Sequence, residues 1–309
     1  MAVAKKDTQI IPFCKNEYFN TYFMYKKVIE KTHGQLAPLG PDMKVRRVIP
    51  SHEVNDVNPF VFLDHMGPVV HKPGSKSGGT GAHPHKGFCT FTYLLSGEVE
   101  HKDSRKHHGI VGAGGVQWMM AASGIVHDEK PTPAYLAEGG ILHGFQLWIN
   151  LPAKFKNDEP QYFPLQSEDI QEVKMGESTV RVLIGSFKEV NSPIPVFSPL
   201  FAYHIQLAGN SEISIPIRVE FNVFAYIPIG ETVSNNEKLT GAGLALFGKE
   251  GDSVHFKNET ESITDIMLFG GEPIPEPIIA HGPFVMNAEN EIELAYHEYH
   301  SGKYGTIDF

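Results

Sequence analysis

Cysteine is scarce: only Cys14 and Cys89 occur in 309 residues. They lie far apart in unlike surroundings, so no disulfide framework is expected and a reducing compartment fits. Long apolar runs are missing as well. None approaches the ~20 residues a membrane helix needs, and mean hydropathy is -0.20. The opening stretch, MAVAKKDTQIIPF, has two lysines but no apolar core, which argues against a secretory signal. Positive charge is in deficit, with 26 Lys and Arg against 36 Asp and Glu and a net charge of -10. Phosphate contacts need clustered cations, so direct nucleic-acid binding is not expected. The short basic runs at 44–47 and 105–108 read as surface turns or strand edges. A cytoplasmic protein, or a nuclear one in a eukaryote, is the expectation.

What the chain does have is short β-prone runs, at 28–29, 45–49, 60–63, 90–95, 115–120 and 142–151, broken by Gly, Pro and Asn. With little helical periodicity, these indicate an all-β sandwich or barrel. Residues 152–164 are polar and contain proline, and read as a linker. The same pattern then returns at 180–185, 201–207, 219–227 and 263–269. A weak internal repeat aligns YLLSGE from Tyr93 with YIPIGE from Tyr226. One helix is expected after Pro283, with Asn287 as N-cap, Ile292, Ala295, Tyr296 and Tyr299 on one face, and Gly302 at its end.

Chemistry concentrates between Gly81 and Glu129. The stretch opens on His83-Pro84-His85 and closes on His127-Asp128-Glu129. Side chains two apart on a strand share a face, so each motif presents a pair of donors. Brought face to face, the pairs make a site of three imidazoles and one carboxylate. That mixed N/O set suits Fe, Mn, Ni, Cu or Zn, and the lack of cysteine disfavours structural zinc. The internal repeat places Pro216 and Arg218 where the first half has His83 and His85, so the second half should carry no such site. Glu98, Glu100, His101, Asp103, His107 and His108 read as a solvated hairpin tip. Trp118, Met119, Met120, Phe60, Phe62 and Phe88 read as core or pocket wall, and His143 as packing.

The motifs H-P-H-x-G-F, Y-L-L-x-G, Q-W-M and G-I-x-H-x-E stand in an order that resembles the pirin family of the cupin superfamily. The resemblance extends over about residues 25 to 290, including Glu159-Pro160-Gln161-Tyr162 and His281-Gly282-Pro283-Phe284. It implies two tandem cupin barrels: residues 1–20 as an extension, 21–155 as the metal-bearing barrel, 156–286 as a barrel without ligands, and 287–309 as helix and tail. It further implies that His83, His85, His127 and Glu129 bind iron. In many cupins a glutamate stands where this chain has Cys89. Alternation counted from His85 puts Cys89, Phe91 and Tyr93 on the face of the histidines. There Cys89 is either a small residue on the pocket floor or a sulfur near the metal.

Two functions are open to such a protein. One is cleavage of a flavonol by O2, as in quercetin 2,3-dioxygenase, with Glu129 as both ligand and base. The other is a metal-dependent, redox-sensitive protein that binds a protein partner. Two positions left open on the metal favour the enzyme.

Overall fold

Branched and aromatic residues spaced by two pack on both faces of pleated sheets, and the β-prone runs form strands accordingly. This computed structural model describes residues 24–39, 43–76 and 79–309, so the expected extension at 1–20 and Cys14 lie outside the described residues. The first half contains β1 (Val28–Thr32), β2 (Gln35–Leu39), β3 (Met43–Ile49), β4 (Phe60–His71), β5 (His83–His85) and β6 (Phe88–Ser96). It continues with β7 (Val99–Asp103), β8 (His108–Val111), β9 (Val116–Met120), β10 (Ile125–Pro131), a short helix α1 (Pro133–Glu138), β11 (Gly140–Asn150) and β12 (Gln161–Leu165). The second half runs through β13 (Glu172–Met175), β14 (Ser178–Ile184), β15 (Ser186–Phe187), β16 (Val190–Asn191), β17 (Leu200–Leu207), β18 (Ser211–Pro216) and β19 (Asn222–Ile229). Then come β20 (Glu231–Ser234), β21 (Glu237–Thr240), β22 (Gly243–Phe247), β23 (Ser253–Asn258), β24 (Thr264–Gly271), β25 (Ile279–His281), β26 (Phe284–Met286) and α2 (Glu289–His300).

These strands build two cupin barrels of matching plan. The first pairs a sheet of order β12-β9-β6-β11-β4-β3-β2 with one of order β5-β10-β7-β8. The second pairs β1-β22-β19-β24-β17-β14-β13 with β18-β23-β20-β21. Edge strands cross the expected boundary in both directions: β1 joins the second barrel by pairing with β22, and β12, which follows residue 155, joins the first by pairing with β9. The linker expected at 152–164 therefore supplies most of a strand, and a division at 155/156 cuts across the exchange. Such an exchange covers sheet edges that would otherwise offer unpaired backbone groups. One continuous core, with Phe60, Phe91, Phe145, Phe224 and Phe269, lies between the barrels, and Phe60 meets Phe224 edge-on at 5.4 Å.

The last helix starts one residue later than expected. Ala288 is its N-cap, and Glu291 reaches back to accept from the backbone N–H of Asn287 (2.8 Å) and Ala288 (3.0 Å). Asn287 instead donates its amide to the Pro277 carbonyl. Ile292 and Ala295 are buried against Phe284 and Met286, and Glu298 receives Lys86 Nζ at 2.9 Å. The C-terminal segment thus returns to pack on the first barrel, beside the histidines.

Candidate metal centre

The two histidine motifs meet because β5 and β10 are antiparallel neighbours in register, with His127 directly opposite His83 and Ile125 opposite His85. His83 Nε2 lies 3.1 Å from His85 Nε2 and 3.0 Å from His127 Nε2. Each ring is fixed from behind. His83 Nδ1 donates to the Gly81 carbonyl (2.7 Å), and His85 Nδ1 to the Pro283 carbonyl (3.2 Å). His127 Nδ1 faces His101 Nδ1 at 3.5 Å, long for a hydrogen bond, and His101 Nε2 donates to Asp103 Oδ2 at 3.1 Å. Nδ1 hydrogens engaged in this way leave Nε2 lone pairs converging on one point. Two nitrogens each about 2.1 Å from a shared ion, about 90° apart, would be about 3 Å from each other. The spacing fits a metal. Burial, then the neighbouring imidazoles, hold His85 and His127 well below the usual histidine range, so both stay neutral and able to ligate.

Glu129 stands beside this cluster and groups with His127 and His101. Its Oε2 accepts from Gln146 Nε2 (2.7 Å), and its Oε1 from Thr92 Oγ1 (3.2 Å) and Gln117 Nε2 (3.4 Å). Tyr162 donates to Gln117 Oε1 at 2.6 Å and stacks on His101 with ring centroids 4.1 Å apart. An aromatic wall closes one side. Trp148 stacks on Phe62 and on Phe88, both at 4.3 Å, and meets His85 edge-on at 5.0 Å. Trp148, Phe62, Gln146, Glu129 and His83 are all half-buried, so they border solvent. Arg47 holds buried Asp64 with two hydrogen bonds (3.0 and 2.8 Å) and lies 4.5 Å over Phe62.

Three sequence expectations are corrected here. Cys89 does not face the histidines; it packs with Trp118 and Ile149 in the core between the barrels, and burial pushes its thiol pKa up. The parity count failed at the corner between β5 and β6, where Gly87 has φ +88 and an added Cβ would lie 2.0 Å from the Val285 carbonyl. The face toward Glu129 carries Thr92, the other face Phe91 and Tyr93. His101 and Asp103 are not a solvated tip: β7 is paired on both sides, by β8 and β10, and buries them. His107 is at the surface only in part, bonded to Asp103 at 2.8 Å, while exposed His108 bonds Glu100 at 2.9 Å. Among the suspected wall residues, Phe62 and Phe88 join the aromatic stack, whereas Phe60, Trp118 and Met120 belong to the core between barrels and Met119 packs with Ile125. His143 bonds His65, away from the cluster. Gln117 and Tyr162 stand in motifs of the resemblance, but no sequence pattern marked them, or Thr92 and Gln146, as the surroundings of Glu129.

Comparison with known proteins settles the family. The Pirin profile matches residues 42–149 and the Pirin C-terminal cupin domain matches 202–305. The chain belongs to the pirin family. It is 35% identical to pirin-like protein 2 of Arabidopsis thaliana over 92% of this chain and 87% of that one. It is also 35% identical to human pirin, over 91% of this chain and 94% of that one. A crystal structure of a quercetin 2,3-dioxygenase from Acinetobacter baumannii matches with TM-score 0.86 at 29% identity, covering 92% of this chain and all of the other. This pirin thus carries a histidine-rich site in its first cupin barrel, and no helix among its described residues is long and apolar enough to cross a membrane.

Proposed function

We propose that this pirin is an iron-dependent dioxygenase of the quercetin 2,3-dioxygenase kind, cleaving a flavonol with O2. The observation that carries the reading is the set of three imidazoles converging beside an aromatic wall, and the likeness to the Acinetobacter enzyme supports it. His83, His85 and His127 are assigned as iron ligands, with Glu129 as the fourth. Bound iron would supply Lewis acidity that favours the ionised flavonol hydroxyl and a meeting place for substrate and O2.

The chain's own residues do the rest. The Phe62–Trp148–Phe88 stack offers a flat apolar surface to a planar substrate. Gln146, Thr92 and Gln117 give Glu129 neutral donors, which orient its carboxylate without neutralising it. Glu129 then takes the proton of the 3-hydroxyl. Trp148 Nε1 donates to Gln146 Oε1 at 3.2 Å, linking the aromatic wall to the base.

The test uses protein loaded anaerobically with Fe(II). Quercetin should bind with its absorption shifted to longer wavelength, and admitted O2 should consume it with release of carbon monoxide. Glu129→Gln should lose turnover per bound iron by about 10²–10⁴-fold. Wild-type turnover no higher than that of Glu129→Gln, per bound iron, overturns the reading. A metal-dependent role in binding a protein partner would replace it.

A further inference from the structure

A second cleft, of about 570 Å³, opens between the barrels and is separate from the histidine cluster. Two relays of equal design end there. Tyr93 of β6 crosses to the second barrel, its hydroxyl 2.8 Å from His204 Nδ1, and His204 Nε2 lies 2.7 Å from Asp265 Oδ1. Tyr226 of β19 crosses the other way, 2.7 Å from His65 Nδ1, and His65 Nε2 lies 2.6 Å from His143 Nε2. Strand registers make the correspondence strict. His65 pairs with Phe145 as His204 pairs with Met267, and Ser96 faces His143 as Ile229 faces Asp265. The repeat read between Tyr93 and Tyr226 is the sequence trace of this symmetry, broken where His143 answers Asp265.

Hydrogen accounting fixes what each relay presents. Tyr226 is fully buried and, among the described residues, His65 is its one hydrogen-bond partner, so its hydroxyl donates to His65 Nδ1. His65 then carries its hydrogen on Nε2 and donates to His143 Nε2. Burial lowers the pKa of both imidazoles and keeps them neutral. His143 must therefore hold its hydrogen on Nδ1, which has no partner among the described residues and opens on the cleft that His143 lines at 5% exposure. In the other relay Arg181 donates to the Tyr93 oxygen (3.0 Å), Tyr93 donates to His204, and His204 donates to Asp265 Oδ1. Among the described residues Asp265 Oδ2 has no donor, which leaves it to accept. One relay ends in a donor and the other in an acceptor.

From this geometry we infer that the cleft between the barrels is a binding site for a small neutral molecule of the amide or lactam class, its carbonyl on His143 and its N–H on Asp265. The volume lies within the range of small-molecule pockets. Leu95, Ile141 and Ile229 give it apolar flanks. Charge selects against ions: Asp265 repels an anion, and Arg181, already engaged by Tyr93, Gly114 and Ser167, opposes a cation. The inference does not depend on the reaction proposed for the metal centre.

Benzamide, benzoate and benzylamine, near-identical in size, test it by ligand-observed and imidazole 15N NMR on the full chain. Benzamide should bind saturably with a Kd of about 1–10 mM, and the two ions about tenfold or more weaker. His143 Nδ1 should resonate as a protonated nitrogen and move on benzamide addition. His143→Leu should weaken benzamide by about five- to tenfold. Asp265→Asn keeps an acceptor for His204 but turns the free oxygen into a donor, so it should shift preference toward benzoate. An unprotonated His143 Nδ1 would overturn the inference without any variant. So would equal binding of all three probes, absence of saturable benzamide binding, or benzamide affinity unchanged in both variants.

Discussion

Thr92, Gln117 and Gln146, the side chains that hold Glu129, have counterparts in the second barrel at Ala225, Ala245 and Leu268. The registers leave no freedom in this matching: Thr92 pairs with Gln117 and Gln146, as Ala225 pairs with Ala245 and Leu268. All three replacements are fully buried in an apolar core with Ile213, Ile215 and Phe256. The repeat suggests Pro216 and Arg218 at the positions of His83 and His85, but strand register puts the buried Ile215 and Ile217 there, and the exposed Arg218 is ion-paired with Glu220. One strand plan thus supports two interiors. The second barrel gains transfer free energy from its filling, about 25 cal/mol per Å² of apolar area buried. The first gives up part of that gain to keep a polar interior, and Thr92, Gln117 and Gln146 are tolerable there because each hydrogen-bonds Glu129.

The largest effect should come from removing a converging nitrogen. His83→Ala or His127→Ala should lower metal affinity by more than about 100-fold, since changes to outer partners alone cost about 10–100-fold. Elemental analysis after anaerobic reconstitution with Fe(II) should find one ion per wild-type chain and almost none in either variant. A metal located by anomalous scattering between residues 180 and 270 would break the contrast between barrels.

Moving each barrel toward the other sharpens it. Gln146→Leu gives the first barrel the residue of the second. It removes the 2.7 Å donor to Glu129 and should cost about 10–100-fold in turnover per bound metal, while thermal stability holds or rises. Leu268→Gln performs the reverse exchange. It buries an amide with no partner among Ala225, Ala245 and their neighbours, and should destabilise the protein by about 2–4 kcal/mol in denaturant unfolding with metal content unchanged.

How much of this could be read from the chain depends on the distance over which each feature is encoded. His83 with His85, and His127 with Glu129, are local pairs, and strand alternation alone puts each pair on one face. Their meeting needed only that β5 and β10 be neighbours. Thr92, Gln117 and Gln146 come from three strands and converge only through cross-strand register, which no window of sequence contains. Cys89 was misplaced because alternation holds within a strand and fails across the turn at Gly87. His101 and Asp103 were misread because polarity suggested solvent, whereas pairing of β7 on both edges buries them against Tyr162. The exchange of β1 and β12 was invisible for the same reason as register: a strand's composition does not name its partner. The repeat at Tyr93 and Tyr226 was legible as similarity, but its use as a crossed pair of hydrogen bonds was not.

Those crossed bonds give the smallest and most specific prediction, a pH dependence seated between the barrels. Burial, followed by the nearby His143 and Arg46, pushes the His65 pKa down to about 3. Above about pH 6.5 the imidazole is neutral in both the folded and unfolded chain and contributes no pH dependence. As pH falls below that value, the unfolded chain binds a proton and the folded one does not, so stability declines on the way toward pH 3. At pH 5 the loss from this one group is about 2 kcal/mol. Denaturant unfolding at pH 7 and pH 5, with wild type beside His65→Gln, isolates it. Glutamine retains a donor and an acceptor but does not titrate, so the variant should lose correspondingly less stability on acidification even if it starts lower at pH 7. Equal losses in the two proteins would mean that His65 is protonated when folded, and the hydrogen could no longer be assigned to run from Tyr226 through His65 to His143.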